Sequence, residues 1–189
     1  MTRSFRKIIA TVLFAGGTFC LYESESQSNA TAALHVSGTS VRSSPADEIA
    51  LLDAEFDGKK IEHSDSEWKT LLSLDQYQVL RLKATEKPYS GPLNKNKLKG
   101  SYHCAACGLV VFRSNAKFES GTGWPSFYKP AFKKNLVEKV DRSIPTEERT
   151  EVECARCHSH LGHVFDDGPE PTGLRYCINS LALRFAEKK

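Results

Sequence analysis

The chain has 189 residues, 40% hydrophobic and 26% charged, enough for one ordinary domain with a packed core plus an appendage. A formal net charge of +3, with no long lysine or arginine run, leaves no electrostatic footprint for nucleic acid, and no such partner is expected. Six cysteines could form a disulfide scaffold, but a chain of this length with a fair core does not require one.

Arg3, Arg6 and Lys7 precede a charge-free stretch from Ile8 to Tyr22. A basic region followed by an apolar run shorter than the ~20 residues of a comfortable bilayer span reads as an export signal in residues 1–22. The same acid-free, basic leader also suits a mitochondrial or other organelle transit peptide. No clean cleavage site appears. Thr18-Phe19-Cys20 lacks the small-x-small form, and Asn29–Ala33 offers small residues only far downstream.

Residues 23–47 are rich in Ser, Ala and Thr without an aromatic residue and read as flexible linker. Residues 48–62 are ambiguous and are grouped with that linker, although Ile49, Leu51, Leu52 and Phe56 would suit one short amphipathic element. The folded domain is expected over 63–186. Ser66 is placed to cap a helix carrying Trp68, Leu71 and Leu72, and Asp75 to cap a second carrying Val79, Leu80 and Leu82. Pro88 blocks continuation, and Ser90 to Gly100 reads as a basic surface loop.

Beyond Gly100, strand-length apolar runs alternate with turn residues: Leu109–Phe112, Leu136–Val140, Thr150–Cys154, Leu161–Phe165, Leu174–Ile178 and Leu181–Phe185. This pattern predicts a mainly β, mostly antiparallel domain behind a short helical arm.

Two C-x-x-C pairs, Cys104/Cys107 and Cys154/Cys157, have the spacing of zinc knuckles that together close a tetrahedral all-sulfur site. Gly108 follows the first pair, where a knuckle turn calls for positive φ. A dithiol redox centre or a pair of disulfides are the competing readings. A closed four-sulfur site has no open coordination position, so its role would be structural. Cys20 falls in the leader, leaving Cys177 as the unpaired thiol of the body.

Arg175, Cys177 and Asn179 alternate along a predicted strand and so share one face. A guanidinium beside the thiol is expected to lower its pKa. Buried inert thiol is the plainer alternative for Cys177. His160 and His163 are acid–base candidates, with Asp166 or Asp167 to orient one of them, whereas His158 reads as incidental. Gly121–Phe127 forms a rigid loop in which Trp124 either walls a small apolar site or packs into the core.

Four stretches together resemble the methionine-R-sulfoxide reductase B family: Cys104–Cys107, Ser120–Phe127, Cys154–Asp167 and Gly173–Ser180. The resemblance runs from about Ser66 to Phe185. It implies two small antiparallel sheets closed as a distorted barrel, stapled by structural zinc, with N-terminal helices packed against them. It implies that residues 63–186 form a catalytic domain in which Cys177 attacks the sulfoxide sulfur and is left as a sulfenic acid. Trp124 would receive the S-methyl group, with Phe165 also binding substrate. His160, His163 and Asn179 would position and protonate the sulfoxide, and Arg175 would support the thiolate. The substrate would be methionine-R-sulfoxide in oxidised proteins, and the working unit a monomer. Many family members carry a resolving cysteine where this chain has Thr122. Regeneration by an external thiol, thioredoxin or another reductant, is therefore expected. A zinc-stapled β binding module without catalysis and a disulfide-linked secreted domain are the alternatives.

Overall fold

Two serines start the helices, each three residues ahead of a side chain that can reach back. Ser64 caps α1 (Asp65–Leu71) in a reciprocal box with Glu67, and Ser73 caps α2 (Leu74–Leu80) in the same way with Gln76. Ser66 and Asp75, the expected caps, instead lie inside the first turns. Ser66 has Lys69 three residues on, which cannot return the bond, and Asp75 already sits inside the box that Ser73 closes with Gln76. The computed structural model describes residues 50–188. The leader and most of the linker lie outside the described residues.

Nine antiparallel strands follow among those residues: β1 (Gly100–Cys104), β2 (Val110–Arg113), β3 (Lys117–Phe118), β4 (Ser126–Phe127), β5 (Leu136–Ile144), β6 (Glu147–Cys154), β7 (His160–Phe165), β8 (Arg175–Ile178) and β9 (Leu183–Glu187). They form a three-stranded sheet in the order β2-β1-β9 and a six-stranded sheet in the order β3-β4-β8-β7-β6-β5. The mainly β architecture with two short helices agrees with expectation, but the sheets do not close into a barrel. Closure needs an edge strand to pair with another edge. β3 is only two residues long, and β5 presents exposed charged side chains along an open hairpin with β6.

Aromatic rings join the two sheets. Phe112 of the small sheet stacks on Phe127 of the large one at 4.4 Å between centroids, Tyr102 meets Phe127 edge-on at 5.0 Å, and Phe112 touches Tyr176 at 5.6 Å. Tyr176 and Ile178 therefore point inward from β8, and alternation turns Cys177 to the opposite face. Trp68, Tyr77, Val79 and Leu80 bury the helical arm in the same core. Each such side chain is worth ~1.5–3 kcal/mol of burial.

The stretch 52–61, grouped with the linker by sequence, runs along the domain as a strap. Leu52 pairs with Gly108 and Val110 through two 2.8 Å backbone bonds, and the Ile61 amide donates to Arg156 at 2.8 Å. Between them, fully buried Asn135 accepts from the Phe56 amide at 2.7 Å and donates to the carbonyls of Ala54 and Val110. The strap thus touches both C-x-x-C turns.

Candidate active site

The two turns are built alike. Cys104 and Cys154 accept at their carbonyls from the amides of Gly108 and His158, at 2.8 and 2.9 Å, and donate their own amides to Leu109 and Ser159. The residue after each pair must adopt positive φ, which is 75° at Gly108 and 54° at His158. His158 thus fills a turn position, and its ring lies outside the sulfur cluster.

Cys104, Cys107, Cys154 and Cys157 are all buried, with ligand atoms within 4.8 Å of one another. Cys104 and Cys157 sulfurs stand 3.6 Å apart and Cys107 and Cys154 sulfurs 3.5 Å apart. Four sulfurs held ~2.3 Å from one central ion would be separated by about 3.8 Å, whereas a disulfide needs about 2.05 Å. The cluster therefore has the dimensions of a metal site and not of two disulfides. Arg156 ties the two turns together by donating to the Cys107 carbonyl at 3.2 Å.

On the large sheet, pairing sets Ser126, Cys177, His163 and Glu151 side by side across β4, β8, β7 and β6. Arg175 pairs with Phe165, and Arg149 with Asp141, two residues further along. Strand alternation gathers these groups from a span of about fifty residues. A cavity of about 130 Å³ opens there, lined by Cys177, Trp124, Phe165, His163 and Asn179, together with Thr85 and Arg149. That volume suits a side-chain tip of a few heavy atoms.

Trp124 is thus a wall of the cavity and not a core residue. Its indole N–H donates to the Glu86 carbonyl at 3.1 Å, fixing the ring. Asn179 has both amide ends engaged: its oxygen accepts from the Glu86 amide at 3.0 Å and its nitrogen donates to the Leu161 carbonyl at 3.1 Å.

The histidines are oriented by acids that sequence reading missed. His163 Nε2 lies 2.8 Å from Asp141, and His160 Nδ1 lies 2.7 Å from Glu151. Asp167, one of the two expected partners, instead grips Arg175 through two 2.8 Å bonds. Ser143, His163 and Arg149 hold the Asp141 carboxyl far below the usual range. Burial alone would raise Glu151, but Lys83 and His160 outweigh it and hold the carboxyl low. His160 is 2% exposed, and desolvation pushes its imidazole below the ordinary value. His160 and Arg175 do not line the cavity; they back the residues that do.

The expected effect of Arg175 on Cys177 is present but overruled. Burial pushes the thiol up, and the Thr122 hydroxyl, 3.8 Å from Sγ, and the Arg175 guanidinium only partly offset it. Arg175 is half spent on Asp167 and lies over the Phe165 ring at 4.4 Å. Alkylation of Cys177 by iodoacetamide should therefore rise with pH through a midpoint above the free-thiol value of about 8.5. Thr122→Ala should move it higher still. A midpoint near 6 in the free protein would contradict this account.

Glu86, Asp141, Arg149 and Glu151 carried little sequence signal. Glu151 and Glu153, alternating with Val152 and Cys154 at the buried end of β6, were the one available hint.

A family model for the SelR domain matches residues 72–187. A peptide methionine sulfoxide reductase MsrB of Leptospira interrogans is 54% identical over 129 residues, 68% of this chain and 98% of that protein. The proteins of the same name in Methanosarcina mazei and Methanosarcina barkeri are 56% and 58% identical, over 69% and 67% of this chain and 92% and 89% of theirs. With its sulfur clasp and its cavity around one separate thiol, the chain belongs to the MsrB family of peptide-methionine (R)-S-oxide reductases.

Proposed function

We propose that this chain reduces the R epimer of methionine sulfoxide, carried in oxidised proteins, with Cys177 as nucleophile. One observation carries the reading: among the described residues, the single thiol outside the sulfur cluster sits in a small cavity between aromatic walls, beside an acid-oriented histidine.

Trp124 and Phe165 offer an apolar seat for the S-methyl group. The Cys177 thiolate attacks the sulfoxide sulfur. His163, whose Nε2–H is committed to the Asp141 carboxylate, presents Nδ1–H to the sulfoxide oxygen when protonated, and makes it a better leaving group. The S–O bond breaks and the oxygen passes to Sγ. The substrate sulfur gains the two electrons that Cys177 loses, giving methionine and a sulfenic acid. Asn179 frames the pocket, while His160 and Arg175 support it from behind. A chiral pocket with one seat for methyl and one proton donor for oxygen accepts one epimer.

Two external thiols then return Cys177 to its reduced form, giving a disulfide and water. Thioredoxin is the reductant of choice, since Thr122 stands where an internal resolving cysteine would sit and the other described cysteines belong to the clasp. Zinc suits the all-thiolate, buried and closed site, where it supplies a structural fastening. The basic and then apolar leader, residues 1–22, directs export, and residues 63–186 act as the catalytic domain.

The test is turnover of separated R and S epimers of a methionine sulfoxide peptide with a thiol reductant. R-selective turnover is expected, and after a single turnover without reductant the count of free thiols should fall by one. Turnover of the S epimer alone, or of neither, would overturn the proposal.

A further inference from the structure

Glu86 is 8% exposed and sits in the loop between α2 and β1, outside the four stretches that carry the resemblance. Its four polar groups all reach the active site. The backbone N–H donates to the Asn179 side-chain oxygen at 3.0 Å, and the backbone carbonyl accepts from the Trp124 indole at 3.1 Å. The two carboxylate oxygens accept from the amides of Ser180 and Leu181 at 2.7 and 2.9 Å. Those amides open the short 3-10 turn directly after the strand that carries Cys177. The neighbouring Thr85 lines the cavity.

Packing leaves this residue little freedom. A Cβ on Gly91 would lie 2.2 Å from Ser180 Cβ and 2.7 Å from Glu86 Oε1, so only glycine lets the loop close over the serine. Leu93 adds a 3.0 Å bond from its amide to the Ser180 hydroxyl. No cation stands against the carboxylate in any of these bonds; its partners are amides, and an acid so buried is expensive unless they hold it.

We infer that Glu86 is a positioning residue of the reductase, a buried brace that sets the distance between the Trp124 wall, Asn179 and the thiol-bearing strand. The backbone bonds alone could place Trp124 and Asn179 relative to the loop. The carboxylate is what fastens the loop to the strand that bears Cys177. Removing it would free the methyl seat to move against the nucleophile. A shift of about 1 Å in such geometry costs up to roughly 100-fold in rate.

The inference rests on the reductase reading. The experiment is steady-state kinetics of Glu86→Ala, Glu86→Asp and Glu86→Gln in the full chain, with metal content and circular dichroism measured alongside. Glu86→Ala should raise KM for the R-sulfoxide peptide by about tenfold and lower kcat/KM by about 10–100-fold. Glu86→Asp, one methylene short of both amides, should do much the same and decides the matter if the alanine variant does not fold. Glu86→Gln keeps the length and one acceptor oxygen but turns an NH2 against the second amide N–H, so it should recover only part of the loss. KM does not depend on the fraction of folded enzyme. An unchanged KM with a maximal rate that falls only as the folded fraction falls would therefore reduce Glu86 to a stability residue. Absence of turnover by the unsubstituted protein would instead defeat the reductase reading, so the two failures are distinguishable.

Discussion

Replacement of Cys177 by serine should abolish reductase turnover, by about 10⁴-fold or more, while leaving the fold and the metal in place. The substitution exchanges sulfur for a smaller oxygen at a half-buried position next to Thr122, so it overpacks nothing and the change in stability should stay within ~1 kcal/mol. Chemistry forbids compensation. The reaction ends with oxygen bound to the enzyme's own sulfur, and a serine hydroxyl has no comparable oxidation step open to it. It also stays protonated at any pH the domain tolerates. The measurement is kcat/KM with the R-sulfoxide peptide, set against metal stoichiometry and thermal midpoint. Activity retained in Cys177→Ser, with loss instead on substitution of a clasp cysteine, would move the chemistry to the sulfur cluster and reverse the division of labour argued above.

The parts of this site legible in the sequence are those fixed by covalent chemistry or short spacing. Once Cys20 is set aside with the leader, two C-x-x-C pairs and one remaining cysteine separate clasp from nucleophile, and alternation along Arg175-Tyr176-Cys177-Ile178 separates the working face from the core face. What stayed hidden depends on register between distant strands. Asp141 meets His163 and Glu151 meets His160 because β5, β6 and β7 pair in one alignment, and nothing local to either acid announces it. Glu86 is further removed, reaching residues more than ninety positions away. Both cap positions were missed by two residues, because the serines that close reciprocal boxes with Glu67 and Gln76 lie just upstream of the expected caps. The direction of the Cys177 shift was missed because one neighbouring cation is visible in a strand pattern and the depth of burial is not. Barrel closure was expected from resemblance, and the charged, exposed flank of β5 leaves the sheet open. The strap was lost to composition: few residues of 52–61 look apolar, but its backbone bonds and Asn135 hold it.

Removing the metal should unfold the domain, an effect as large as the loss of the nucleophile but of a different kind. The clasp joins the turn after β1 to the turn after β6, forty-seven residues apart at Cys107 and Cys154, alongside the lesser ties of Arg156, Asn135 and the strap. Structural zinc supplies an apparent ~10–16 kcal/mol in small domains, against a total stability of ~5–15 kcal/mol for a domain of this size. Loss of one ligand, as in Cys154→Ala, or stripping with a strong chelator under reducing conditions should therefore remove most of the native circular dichroism signal and abolish activity without touching the cavity. The strap should be released early, since its bonds from Leu52 to Gly108 and from Ile61 to Arg156 end on the two clasp turns. A protease should then cut within 52–61 before it cuts the β5–β6 hairpin. Reducing conditions are essential to the result. With facing sulfurs only 3.5–3.6 Å apart, oxidation could close Cys104 to Cys157 and Cys107 to Cys154 and staple the same turns covalently, hiding the loss of metal. A stripped, reduced protein that kept its fold and its thermal midpoint would show that core burial alone carries the domain and that the sulfur cluster is dispensable to it.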